Sequence, residues 1–316
     1  MNRRPLGRTG LEIAPLVFGG NVFGWTVDQP TAFALLDRFS AAGLNAIDTA
    51  DVYSSWAPGN RGGESESIIG NWLKASPGRR EKIVIITKVG WAFSPDNKGL
   101  SAKRIIAAAE GSLRRLQTDY IDLYLSHCPD PDTPLEETLE AHDLLLRQGK
   151  IRSVGASNHD AVQMRAALTL AADKNLPRYE VLQPEYNLYD RAGFDGPLRD
   201  LCIAEGLGVI TYFSLASGFL SGKYRSPADL GKSVRGQRIA RYLNPRGLRI
   251  LEALETVARS HAAQPAEIAL AWLMAREGVT APIASATSVT QLDSLIRATR
   301  LSLSAADHEL LDSASK

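Results

Sequence analysis

The chain has 316 residues, 44% of them apolar, and its 36 basic and 35 acidic residues leave a formal net charge of +1. A chain of this length buries a large core and is ordinary for one α/β barrel domain, and no composition shift divides residues 1–316 in two. The near-even charge supplies no uniform field for nucleic acid or an anionic membrane, so a small, weakly charged partner is expected.

Cys128 and Cys202 are the only cysteines and have no CxxC spacing. Neither a disulfide framework nor a thiolate zinc site is indicated, and the reducing cytosol suits that usage. The opening MNRRPLGRTGLEIAPLVFGG has only a short apolar run broken by Pro and Gly, which argues against a secretory signal. Nowhere do about 18 apolar residues run together. A cytoplasmic protein is the expectation.

In chain order, RRPLGRTGLEIAP comes first and reads as a Gly-centred hairpin able to plug a barrel floor. The first strand, APLVFGG, is followed by TAFALLDRFSAAG, where Ala32, Leu35, Leu36 and Phe39 share a helix face and Gly43 marks a stop. NAID and ESESIIGNWLKAS form the second cycle. KIVIITK precedes SAKRIIAAAEGSLRRLQ, with Ile105, Ala109, Leu113 and Leu116 as its stripe and Ser101 as its cap. DYIDLYLSH precedes TPLEETLEAHDLLLRQGK, where Thr133 and Glu136 have capping-box spacing and Pro134 takes the first helical position.

The alternation continues through IRSVGAS with HDAVQMRAALTLAADK, YEVLQPEYN with GPLRDLCIAEG, LGVITYFSL, and APIASA with SVTQLDSLIRAT. PAEIALAWLMAREG is a helix between the last two strands. Short continuous apolar runs are the mark of buried parallel strands. Eight strand-helix cycles favour a (β/α)8 TIM barrel with an N-terminal β-hairpin over an open doubly wound sheet. Residues 216–262 form a long insertion after the seventh strand. Insertions of that length are functional or mobile, and this one leaves from the rim where barrel enzymes keep their sites.

That rim collects Asp48 and Tyr53 after the second strand, Lys88 from the third and His127 after the fourth. Alone, each has an ordinary reading: a turn cap, a packing aromatic, a snorkelling lysine, a hydrogen-bonded structural histidine. Together they solve one problem. Reducing a carbonyl with hydride needs a proton donor, and a free tyrosine with a pKa near 10 is a reluctant acid. A buried ammonium beside it stabilises the phenolate, and a carboxylate keeps that ammonium charged despite desolvation.

The stretches IDTADVY, ITK, DYIDLYLSH, GKIRSVGASN and LQPEYN stand in an order and spacing that resembles the aldo-keto reductases over nearly the whole chain. The resemblance implies a catalytic tetrad of Asp48, Tyr53, Lys88 and His127, with Tyr53 as general acid and a nicotinamide cofactor as hydride donor. No GxGxxG follows a strand, which removes the usual dinucleotide fold but not a nicotinamide cofactor; the resemblance implies that the cofactor lies extended across the barrel rim. By the same resemblance, Ser157, Asn158 and Gln183 hold the carboxamide and Tyr212 stacks on the nicotinamide ring. Gly19, Gly20 and Asn21 give close approach. Leu215, Ser217, Ser221 and Lys223 resemble a pyrophosphate loop, with Arg235 able to reach a 2′-phosphate. Ser285, Thr287, Ser288 and Gln291 resemble the adenosine-phosphate segment.

Two departures leave the choice between NADPH, the family default, and NADH open. Ser285 stands where glycine is common, and Ser294 and Leu295 replace the usual Glu-Asn pair. Trp25, Trp56 and Trp91, on the loops after the first three strands, are candidates for an apolar substrate wall or for packing against the rim. The leading expectation is a reductase of small-molecule carbonyl compounds. One alternative is a slow-turnover, cofactor-sensing regulatory subunit similar to potassium-channel beta subunits. Another is metal-dependent or glycosidase hydrolysis on the rim, which gives no purpose to a lysine beside the tyrosine. Substrate and oligomeric state are not legible.

Overall fold

The computed structural model describes residues 2–316 apart from 95, 96 and 235. Two short antiparallel strands come first, β1 (Arg4–Pro5) and β2 (Glu12–Ile13). Eight parallel strands then close into a barrel: β3 (Val17–Gly19), β4 (Ala46–Asp48), β5 (Val84–Val89), β6 (Leu123–Ser126), β7 (Val154–Ser157), β8 (Val181–Gln183), β9 (Gly208–Thr211) and β10 (Ala281–Ala284). Closure is made where Ile283 of β10 pairs with Val17 of β3. The expected (β/α)8 barrel with an N-terminal hairpin is therefore the fold.

Strand residues alternate between two cores, as the two-residue period of a strand requires. Val17, Ala46, Val84, Ile86, Leu123, Leu125, Val181, Ile210 and Ile283 fill the barrel, joined from the hairpin by Leu6 and Ile13. Phe18, Ile47, Ile85, Tyr124, Leu182 and Val209 point outward into the helix layer. With both faces covered, the strands read as unbroken apolar runs. The hairpin closes the floor: Gly7, at φ +59°, lies so close under the barrel that a Cβ there would sit 2.4 Å from the Glu180 carbonyl oxygen.

The helix layer consists of α1 (Gln29–Ala41), α2 (Glu64–Lys74), α3 (Ala102–Leu116), α4 (Leu135–Arg147), α5 (Ala161–Lys174), α6 (Pro197–Glu205), a short α7 (Gly236–Ile239), α8 (Pro245–Ser260), α9 (Pro265–Ala275), α10 (Val289–Ala298) and α11 (Ala305–Ala314). The anticipated stripes are buried; Leu35, Leu36 and Phe39 of α1 are fully enclosed, each contributing about 2 kcal/mol relative to exposure. Ser101 caps α3 by accepting from the Arg104 N–H.

The capping box expected at Thr133 and Glu136 does not form. Asp130 accepts the Thr133 hydroxyl at 2.7 Å as well as the backbone N–H groups of Leu100 and Asp132, which withdraws the threonine from α4 and leaves Pro134 as its cap. The insertion at 216–262 is far from featureless. It carries α7 and the sixteen-residue α8, whose Ile250, Leu251, Leu254 and Val257 are buried, the helix packing on α9 and α11. The expectation at Arg235 lies outside the described residues.

Candidate active site

Because all eight strands run parallel, their C-terminal ends meet on one rim, and each delivers a residue expected there. Gly19 ends β3, Asp48 ends β4, Lys88 lies one residue from the end of β5, Ser157 ends β7 and Gln183 ends β8. His127, Tyr212 and Ser285 each follow directly on β6, β9 and β10. Tyr53 follows β4 on a turn in which Ser54 takes φ +72° and donates its hydroxyl to the Phe23 carbonyl at 2.6 Å. Asn60 also braces this turn, donating to the carbonyls of Ser54 and Gly24.

Lys88 is fully buried, and its Nζ donates to Tyr53 Oη at 3.0 Å, to Asp48 Oδ2 at 2.8 Å and to the Thr49 carbonyl at 2.7 Å. Asp48 Oδ1 is also 2.8 Å from the ammonium, and it accepts from Gln183 Nε2 at 2.8 Å. Tyr53 Oη is 3.2 Å from Asp48 Oδ2. Asp48, Tyr53 and Lys88 thus form one connected cluster.

Burial lowers the proton affinity of Lys88, and the carboxylate of Asp48 is the largest influence opposing it. His127 stands 6.2 Å from Tyr53 between ring centroids, edge to face. Burial, with the Lys88 charge adding to it, holds His127 well below the ordinary histidine range, so its ring is neutral. Its Nδ1 is enclosed without a hydrogen-bond partner among the described residues.

Ser157, Asn158 and Gln183 are adjacent and already engaged. Ser157 Oγ donates to the Gln183 carbonyl, and Asn158, at φ +61°, donates from Nδ2 to the His127 carbonyl and accepts the Tyr212 hydroxyl at 2.6 Å. This network links the carboxamide candidates to the tetrad. Trp25 and Trp56 meet edge to face at 5.7 Å, Trp56 lies 6.0 Å from Tyr53, and Trp91 lies 5.2 Å from His127. Trp56 and Trp91 are about half exposed, at 47% and 48%.

Beyond the tetrad the candidates divide. Asn21 Oδ1 accepts the Ser285 hydroxyl at 2.7 Å, and Thr287, Ser288 and Gln291 build the N-terminus of α10, with Ser288 as its cap. Ser294 donates to Glu267, which also holds Arg297, and Leu295 is buried. On the loop after β9, Leu215 packs partly into the core and Ser221 donates to the Gly218 carbonyl. Lys223 extends over the Tyr224 ring.

The reading from residue types had missed Glu66, buried on α2, where it accepts from Thr87 Oγ1 and Arg115 Nε at 2.6 Å each. A signal was present. Glu66 shares its helix face with Ile69, Gly70 and Leu73, and a charged residue on an apolar stripe needs a partner.

The Aldo/keto reductase family model matches residues 15–316. An oxidoreductase of Bacillus subtilis described as uncharacterized, YrpG, is 36% identical over 97% of this chain and 92% of its own length. Protein tas of Escherichia coli is 33% identical over 96% and 94%. A probable voltage-gated potassium channel subunit beta of Oryza sativa is 35% identical over 92% and 89%. The chain belongs to the aldo/keto reductase family, and its class is that of nicotinamide-dependent oxidoreductases.

The residues present fit such a cofactor. A Cβ at Gly19 would lie 2.6 Å from Ser285 Oγ, and one at Gly20 would lie 2.9 Å from Ser65 Oγ and 3.0 Å from the Asp48 carbonyl oxygen, so both glycines let the end of β3 pack closely on its neighbours at the rim. Phe213, Ala216 and Ser217 all take left-handed φ, at 50°, 48° and 58°, on the loop after β9, and backbone held in that region gathers at ligand clamps. The capped N-terminus of α10 suits a phosphate. Among the described residues no helix is long and apolar enough to cross a membrane.

Proposed function

We propose that the protein reduces aldehydes or ketones to alcohols, using NADPH in preference to NADH, with Tyr53 as general acid. The reading is carried by the buried Lys88 ammonium, which lies 3.0 Å from the Tyr53 hydroxyl and 2.8 Å from Asp48. When bound, the nicotinamide supplies hydride to the carbonyl carbon.

Tyr53 holds the proton that the carbonyl oxygen requires, and its hydroxyl donates it as negative charge develops there. Lys88 stabilises the phenolate left behind, at a distance where an ammonium in a desolvated site acts strongly. Asp48 keeps Lys88 charged and aimed, and Gln183 fixes the carboxylate. His127, neutral, presents a ring nitrogen to orient the substrate oxygen. Ser157 and Asn158 would hold the carboxamide, and Tyr212 would underlie the ring. Trp25, Trp56 and Trp91 would form the apolar substrate wall, while Ser217, Ser221, Lys223, Thr287, Ser288 and Gln291 would hold the phosphates.

A second reading, a channel-associated regulatory subunit, draws on the similarity to a protein described as a probable potassium channel subunit beta. The complete tetrad favours turnover. A kinetic screen of aldehydes and ketones with NADPH and NADH side by side separates the two. Turnover of a reactive aldehyde such as 4-nitrobenzaldehyde supports the reductase, and cofactor binding without turnover supports the subunit.

A further inference from the structure

The helix α8 turns charged residues outward, exposing Arg249, Glu252 and Arg259. The outward strip of α5 is different. It runs Val162, Ala166, Thr169 and Ala172, and Val162, at 78%, is the most exposed large apolar side chain among the described residues. Along the strip lies a shallow groove of about 650 Å³, bounded by Pro197 at the start of α6. An apolar strip rimmed by polar residues is characteristic of a surface that meets a partner.

Two charges frame the strip. Arg165 and Asp173 are exposed, and neither has an ion-pair partner among the described residues. The polar groups around them are committed elsewhere: Lys174 is bound to Glu136 of α4, and Asp160 and Gln163 form the capping box of α5. Arg165 stands four residues before Thr169 and Asp173 four residues after it. On an α-helix each is then about 6 Å along the axis from Thr169 and about 40° around it, in opposite senses.

Such a strip is its own complement. Turned end for end about Thr169, it sets an arginine opposite an aspartate at both ends. Ala166 then faces Ala172 between them, where small side chains let two helices come close. This is the form of an isologous contact, in which residue i meets j and j meets i. The formal net charge of +1 adds no general repulsion between copies.

We propose that α5 is a self-association surface: two copies of the chain pack α5 against α5, antiparallel about Thr169, with Arg165 of each copy paired to Asp173 of the other. The face points away from the barrel, so each copy keeps its own rim open. Eight residues line the groove, against about 20–30 a side in a standard interface, so the dimer is weak and forms with rising concentration.

Sedimentation velocity of the full chain from about 5 to about 500 μM is the test, with wild type expected to pass from monomer to dimer across that range. Arg165→Asp or Asp173→Arg alone sets like charges opposite each other and should weaken the dimer at least about 10-fold. The double swap Arg165→Asp/Asp173→Arg should restore it. Mixing the two single variants should restore it as well, as a heterodimer, because the charges then match across the contact. Both positions are exposed, so Tm should hold; should either variant fail to fold, Ala166→Arg, which blocks close approach of the helices, takes its place and should leave a monomer. A wild type that is monomeric throughout overturns the inference and leaves the face to a partner of another kind. A dimer that survives both single swaps, or that neither the double swap nor the mixture restores, overturns it too.

Discussion

Gln183 donates from Nε2 to Asp48 Oδ1 at 2.8 Å across 135 residues of sequence. The glutamine expected to hold a carboxamide is therefore also the clamp on the carboxylate that serves Lys88. Gln183→Leu should lower kcat roughly 10-fold or more, because a small misplacement in a charged site weakens proton transfer. Gln183→Glu sets two carboxylates together at a position only 2% exposed and should lower stability by about 3 kcal/mol, read by chemical denaturation.

Much of this arrangement was legible beforehand, for a physical reason. Parallel strands buried on both faces must be apolar without interruption, and parallel direction places all their ends on one rim, so Asp48 and Lys88 could be assigned to it from strand runs, whereas Gln183 was reached only through the family resemblance. The contact between Gln183 and Asp48 could not be assigned, since it depends on barrel closure rather than on local pattern. Thr133 was misread because Asp130, three residues earlier, competes for its hydroxyl. The α8 stripe of Ile250, Leu251, Leu254 and Val257 was present, but the Arg- and Gly-rich segment before it concealed the helix.

Tyr212 separates ring from hydroxyl. Its hydroxyl is committed to Asn158 at 2.6 Å, and burial pushes its pKa far above the ordinary tyrosine range. Tyr212→Phe should keep cofactor affinity within roughly fivefold, whereas Tyr212→Ala removes the ring proposed to stack on the nicotinamide and should weaken it by roughly 10-fold or more. Fluorescence titration with NADPH measures both.

Trp56 is 47% exposed, so removing its indole should cost little stability. Trp56→Ala should change the ranking of kcat/KM among aliphatic and aromatic aldehydes while leaving NADPH affinity nearly as it was. An unchanged ranking would return Trp56 to a packing role.

His142, on α4 between Tyr124 and Tyr179, is fully buried, and desolvation lowers it to about 4. The unfolded chain takes up that proton near 6.5, where the folded state refuses it. The resulting stability is present above pH 6.5 and is lost as pH falls from there to 4, amounting to about 3 kcal/mol. His142→Leu should flatten the dependence of Tm on pH in that window, and equal slopes in the two proteins would contradict it.

The central claim is that Tyr53 gives up its proton because Lys88 stands beside it. Its most direct test is the rate of NADPH consumption with 4-nitrobenzaldehyde by wild type and Tyr53→Phe, with the NADPH dissociation constant measured for both. The account predicts a fall in kcat of roughly a thousandfold with cofactor affinity nearly unchanged. Turnover within a few-fold of wild type in the phenylalanine variant would contradict it.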